Sequence, residues 1–372
     1  MVAVPCFYPM KKNQKIPSLT KPSITLSALS MHKSIPRGDK LWEFNPDDFS
    51  QFKDKIEGKK FVLALSGGKL KFACHLPLLR LIEILGIKVD ELWGTSAGAV
   101  MCGLWANGMS AREIDRVLDD VNLRLLFDLF NAQAIKPALS AIRHDQKLRT
   151  AGIFPGIKIK NFIRDLLEKN KKKNPLLDLE DFHSVAYNVT NFCRSAFNIT
   201  SSGKIRQTNF TRDQISGRKI TDGDLADIMR ASMAMVGIFW PEEIGGEYFL
   251  DGGITEQLPI LSPFLIWIDD RKRGRETRDL FLLGMELFYV TPEAPPPANP
   301  LSLISESFEL QGDEIARDHE YLIGNLAYKL GVDIDMTVIR PEVPYTVLTS
   351  VPDFAKQIQT SKSAIIRELA NK

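Results

Sequence analysis

The sequence predicts an α/β fold: a three-layer α/β/α sandwich around a mostly parallel central sheet. Three observations carry this. Residues 61–65 (Phe-Val-Leu-Ala-Leu) form an unbroken apolar run, the pattern of a strand covered on both faces. Apolar strand-like runs alternate with helix-like stretches through residues 60–372, as a parallel sheet with crossover helices requires. Gly94-Thr95-Ser96-Ala97-Gly98 places a serine between two glycines, where a short strand-like run (89–93) turns into a helix-like one (97–106). With 372 residues, 44% of them hydrophobic, the chain can bury one large core or two modest ones.

In chain order, residues 1–40 come first. Before Asp39 they carry Lys11, Lys12, Lys15, Lys21, Lys33 and Arg37 and no acid, with prolines at 5, 9, 17, 22 and 36. This reads as a flexible basic arm, with an organelle transit peptide or a tether to anionic membrane as the sharper alternatives. Residues 41–59 are a helical lead-in to a domain spanning 60–372. The strand at 61–65 ends in Ser66-Gly67-Gly68, and a helix follows over 73–85, closed by Gly86 as its C-cap. Glycines between strand and helix let backbone N–H groups converge on an anion. The spacing is not that of a nucleotide phosphate loop, because no G-x-x-x-x-G-K-[ST] is present.

The elbow helix ends at Asn107-Gly108, and Ser110-Ala111-Arg112-Glu113 is a capping box opening the next helix. Residues 122–130 are rich in large apolar side chains, suiting either core or a lid; the lid region is set at 120–180. The lysines of 169–173 mark a solvated loop or a lipid-headgroup contact. Residues 184–191 and 195–200 read as strands, with a hairpin turn at 201–203. Residues 231–241 are small and apolar, suited to tight packing near a buried site. A short strand at 248–250 ends in Asp251-Gly252-Gly253. An exposed charged link at 269–278, a strand at 279–288, a proline-rich loop at 292–300, helices at 302–331 and 352–370, and a strand at 337–339 complete the chain.

The three glycine-bearing stations, in this order, resemble the patatin-like phospholipases. The resemblance runs from about residue 60 to at least 259 and weakly to 338–341. It implies that Ser96 is the nucleophile and Asp251 its base, a two-residue site without histidine. It also implies that Gly67, Gly68 and Lys69 begin the oxyanion loop, with Lys71, Gly94, Gly98, Gly252 and Gly253 in support. The family pattern Gly-Gly-Gly-x-Arg/Lys-Gly is kept at Lys71, whereas Lys69 and Phe72 stand where glycines are usual. A positive φ at Lys69 costs on the order of 1–2 kcal/mol.

The chemistry is consistent with that resemblance. Ester hydrolysis needs a nucleophile, a proton acceptor and donors aimed at the developing oxyanion. An aspartate of ordinary pKa, about 3.9, is a weak base, and burial would strengthen it. A serine–histidine–acid triad is the rival, and His319 is its one suitably placed imidazole, although its charged surroundings read as a solvated helix face. His75 reads as a packing residue. The resemblance implies glycerophospholipid or lysophospholipid esters as substrates, peripheral membrane contact and no cofactor; no motif names an activating protein. A different class of reading, suggested by Lys69 and Phe72, is a catalytically silent lipid-binding or scaffold protein on the same fold.

A net charge of +2 speaks against a nucleic-acid partner, and the four cysteines lack metal-type spacing, so no metal site is expected. No secretory signal or bilayer-length apolar run is evident, which points to a cytoplasmic protein associating peripherally with membranes, with export without a cleaved signal as a further route.

Overall fold

The computed structural model describes residues 38–120, 152–211, 214–287, 300–343 and 353–371. The expected arm up to residue 37, the apolar stretch 122–130 and the proline-rich residues up to 299 lie outside them.

Strand β1 (Lys60–Leu65) is buried throughout, as its composition predicts. It is flanked in parallel register by β2 (Glu91–Thr95) and β11 (Leu280–Met285), and β12 (Ile334–Ile339) extends the parallel ladder beyond β11. On the other side β2 pairs in parallel with β4 (Phe182–Asn188). An antiparallel meander of β5 (Cys193–Ile199), β6 (Ile205–Phe210) and β7 (Ile215–Thr221) continues from β4. Strands β9 (Glu242–Ile244) and β10 (Glu247–Asp251) join the same sheet, β10 antiparallel to β4. A separate parallel pair joins β3 (Gly152–Phe154) and β8 (Gly237–Phe239).

The alternation of a strand divides the core in two. Phe61, Leu63 and Leu65 point into one cluster; Val62 and Ala64 point into the other. The first is covered by helices α1 (Ser50–Ile56), α2 (Leu76–Leu85), α3 (Ala97–Ala106), α4 (Ala111–Asp120), α5 (Ile157–Lys169), α6 (Leu225–Ser232) and, at the end of the chain, α9 (Phe354–Leu369). The second is covered by α7 (Leu261–Lys272) and α8 (Pro300–Leu330). This is the three-layer α/β/α arrangement. No helix among the described residues is long and apolar enough to cross a membrane.

Several boundaries differ from the sequence reading. The strand placed at 89–93 lies at Glu91–Thr95, because Gly94 and Thr95 stay in the ladder opposite Leu65 and Val185. The helix placed at 73–85 begins at Leu76, where Pro77 fits the first turn, and a 3-10 segment, Lys69–His75, precedes it. Gly86 is the expected left-handed cap, at φ 62°. The charged link at 269–278 is helical up to Lys272: Phe264 and Trp267 bury one side of α7, while Arg271 and Lys272 suit the negative end of its dipole. Ser110 and Glu113 form the expected capping box, with Ser110 N–H donating to Glu113 at 2.8 Å.

Candidate active site

The site lies where two strand ends meet beside β4. Strand β2 runs parallel to β4 and β10 runs antiparallel to it, while β5 occupies the opposite edge of β4. Thr95 sits opposite Val185, and Asp251 sits opposite Ala186, the next residue along. The two chains therefore end head to head on one side of β4. This register brings Ser96 to Asp251 across the long intervening sequence, and the Ser96 side chain lies close enough to the Asp251 carboxyl to lower its pKa.

Ser96 adopts φ 51° and ψ −119°, a conformation rare for a residue with a side chain. Backbone packing holds it there. A Cβ on Gly94 would stand 2.6 Å from the Ala99 Cα, and one on Gly98 would stand 2.2 Å from the Leu65 carbonyl oxygen. Only glycine lets the first turn of α3 lie this close to β1 and β2. The Ser96 N–H donates to the Ser232 hydroxyl at 2.8 Å, and that hydroxyl donates to the Val185 carbonyl. Sequence reasoning placed Ser232 only in a tightly packed stretch; the signal was one hydroxyl within a run of small apolar residues.

Asp251 is buried, and its N–H donates to the Ala234 carbonyl at 2.9 Å. One carboxylate oxygen accepts the Gly253 N–H at 2.8 Å. Gly252 lets the turn lie against β4, since a Cβ there would meet the Val185 carbonyl oxygen at 2.3 Å. Burial pushes the carboxyl up to about 6; the bond from Gly253, the nearby Ser96 side chain and the positive fields of Lys69 and Arg230 oppose it. Desolvation dominates, and the group is a stronger base than an exposed aspartate.

The glycine loop is built differently. Gly67 N–H donates to the Gln257 carbonyl at 3.1 Å, so this N–H is already committed within the protein. Lys69 takes φ 51°, the strained conformation foreseen for a side chain at this position. Lys71 is buried behind the loop, its Nζ donating to the Leu287 carbonyl at 3.2 Å. Phe72 packs on Phe354 of α9, with ring centroids 5.3 Å apart. From α9, the Gln357 Nε2 donates to the Leu70 carbonyl at 2.8 Å and the Ser361 hydroxyl donates to the Cys74 carbonyl. Beneath the loop, the buried His75 ring pairs with the Ser66 carbonyl at 2.9 Å, and desolvation lowers its pKa to about 4, keeping it neutral.

His319 is half-buried, not on a fully solvated face. Its charged surroundings are Glu256, Arg194 and Asp318, and its Nδ1 has no hydrogen-bond partner. Glu256 is itself ion-paired with Arg194 at 3.2 Å. The imidazole thus belongs to a charged cluster with Glu256 and Arg194, whereas the hydroxyl of Ser96 meets a carboxylate.

Residues 63–264, more than half of the chain, match the family described as patatin-like phospholipase. The chain belongs to the patatin-like phospholipase family. Among curated relatives of this patatin-like chain is the patatin-like phospholipase domain-containing protein ZK370.4 of Caenorhabditis elegans, 25% identical over 253 residues, covering 66% of this chain and 16% of the relative. Another is lysophospholipase NTE1 of Candida glabrata, 27% identical over 215 residues, covering 58% of this chain and 10% of the relative. The aligned regions thus account for a small part of each relative's length. Among solved structures, VipD from Legionella pneumophila aligns over 83% of this chain and 66% of its own, at 15% identity and a TM-score of 0.39, a likeness too distant to carry an argument.

Proposed function

We propose that the chain is a lipid acyl hydrolase of the phospholipase A or lysophospholipase type, with Ser96 as nucleophile and Asp251 as its proton acceptor. The observation that carries this reading is the meeting of a strained, elbow-borne serine with a buried carboxyl raised to about 6. As Ser96 Oγ attacks the acyl carbonyl carbon, its proton passes to Asp251 and the carbonyl oxygen takes the negative charge. The Gly68 and Lys69 end of the glycine loop and the N-terminus of α3 supply the positive potential that stabilises this oxyanion. Collapse breaks the ester bond, the leaving alcohol takes the proton back from Asp251, and the acyl group stays on Ser96. Water, deprotonated by Asp251, then frees the fatty acid and restores the hydroxyl.

The substrate class, acyl esters of glycerophospholipids or lysophospholipids, follows the family. Such lipids reside in aggregates, so the protein works at a membrane surface as a peripheral protein. A fluorophosphonate probe should label the wild type at Ser96 and leave Ser96→Ala unlabelled. Fatty acid release from lysophosphatidylcholine vesicles should be lost in Ser96→Ala and in Asp251→Asn. Retained turnover in Asp251→Asn, combined with loss in His319→Ala, would replace the dyad with a triad. A wild type that neither labels nor hydrolyses would leave a lipid-binding protein without catalysis.

A further inference from the structure

Gln257 occupies the space between the glycine loop and the aspartate turn, and no step above uses it. Its side chain is 4% exposed. Glycines from three separate elements make room for it. A Cβ on Gly67 would stand 2.2 Å from its Nε2, one on Gly253 would stand 2.1 Å from its Oε1, and one on Gly312 of α8 would stand 2.9 Å from its Cγ. The amide therefore lies along the Gly67 backbone at one edge and beside the Asp251 turn at the other, since the same Gly253 position is 3.1 Å from the Asp251 Oδ1. Its Nε2 is sealed from solvent and has no hydrogen-bond partner.

A buried amide N–H₂ left unpaired destabilises a fold, and such groups in native proteins mark a waiting partner or a catalytic role. The chemistry of the missing partner is set by the donor: it must be an oxygen acceptor. Its position narrows the choice further. The loop N–H at Gly67 is turned away, toward the Gln257 main-chain carbonyl at 3.1 Å. The same residue returns a side-chain N–H₂ to the place beside Gly67.

We propose that the Gln257 side-chain amide is a further donor of the oxyanion hole, receiving the acyl carbonyl oxygen as it becomes negative. The proposal rests on the reading of Ser96 as nucleophile. A turn of the side chain out of its sealed position brings the donor to a charge that exists only during reaction, which is where an added donor has its largest effect. No proton leaves the amide; it contributes a hydrogen bond to the tetrahedral intermediate, and the bond weakens when the carbonyl re-forms.

The test uses the full chain with Gln257→Met, which keeps the length and removes the polar group, and Gln257→Glu, which keeps the shape and replaces the donor with acceptors. With a soluble p-nitrophenyl ester, Gln257→Met should lose about 10²–10³-fold in kcat, with KM within about threefold. Its thermal midpoint should equal or exceed that of the wild type, because an unpaired buried donor has been removed. Across wild type and both variants, affinity for a trifluoromethyl ketone, which forms an oxyanion adduct on serine, should fall in step with kcat/KM. A kcat for Gln257→Met within threefold of wild type overturns the proposal. So does a lowered thermal midpoint with ketone affinity unchanged, which would make Gln257 a brace alone. If either variant fails to fold, the other carries the comparison. Absence of fluorophosphonate labelling at Ser96 in the wild type would instead remove the hydrolase reading beneath it.

Discussion

The two halves of the site are held by different kinds of contact. At the elbow and the aspartate turn, Gly94, Gly98 and Gly252 each face backbone: Ala99, the Leu65 carbonyl and the Val185 carbonyl. In the glycine loop, Gly67 and Gly68 face the side chains of Gln257 and Leu287. Backbone cannot retreat without moving a strand or a helix, whereas a side chain can turn. The elbow therefore admits little variation, and the loop admits substitutions such as Lys69 and Phe72 as long as something else fixes it. That something is α9, whose Phe354, Gln357 and Ser361 hold Phe72, Leu70 and Cys74.

Alanine substitutions provide the most severe way to break this comparison. Gly98→Ala and Gly252→Ala set a Cβ 2.2 and 2.3 Å from carbonyl oxygens, and each should destabilise by more than about 4 kcal/mol or prevent folding. Gly68→Ala meets only the Leu287 side chain, at 2.6 Å, and should lose about 1–2 kcal/mol. Urea unfolding of the three variants measures the gap. Equal losses would remove the distinction between the two halves.

The next effect belongs to Asp251 and is a matter of pH. Its pKa in the fold is about 6 against 3.8 in its absence, so the folded state binds this proton more tightly than the unfolded one. Stability from this group is present below pH 3.8 and declines as pH rises toward about 6. The difference amounts to about 3 kcal/mol. Urea unfolding across that window should show wild type losing stability relative to Asp251→Asn as pH rises. Turnover should move the opposite way, falling as pH drops through about 6, because the base becomes protonated. A flat stability difference between wild type and Asp251→Asn would show that burial does not set this pKa.

A smaller effect tests the brace. Ser361→Ala removes the hydroxyl that donates to the Cys74 carbonyl, and should reduce stability by about 1–2 kcal/mol. Fluorophosphonate labelling of Ser96 should slow as well, since the 3-10 segment carrying the loop loses an anchor. Labelling at the wild-type rate would mean that the loop keeps its geometry without α9.

The same contrast explains what was legible in the sequence. The strand at 61–65, the elbow at 94–98 and the Asp-Gly-Gly turn are local patterns in which glycine and apolar runs are imposed by backbone crowding, so one sequence reveals them. The position of α9 against the glycine loop is a contact between residues far apart in sequence, such as Gln357 and Leu70, 287 positions apart, and nothing in either segment announces the other. Ser232 was hidden for a related reason: its hydroxyl bonds the Ser96 N–H and the Val185 carbonyl, partners set by the sheet register and not by neighbouring residues. His319 was placed on a solvated face because its own helix is highly charged, yet α8 turns that position toward Glu256 and Arg194. The charges flanking a residue along a helix say little about what lies across from it.

The finest test lies at Lys69. A residue at φ 51° with a side chain is strained relative to glycine, so Lys69→Gly should gain about 1 kcal/mol of stability, the strain relieved being partly offset by the greater freedom of glycine in the unfolded chain. The same change removes a cation whose field holds down the Asp251 carboxyl. The acid limb of the pH–rate profile should therefore shift to higher pH in Lys69→Gly and return toward its original place in Lys69→Arg, which keeps the charge and the strain. Stability and pH response thus separate two roles of one residue. A gain in stability with no shift of the limb would assign Lys69 to backbone geometry alone, and a shift shared by Lys69→Arg would trace the effect to the loop conformation instead of the charge.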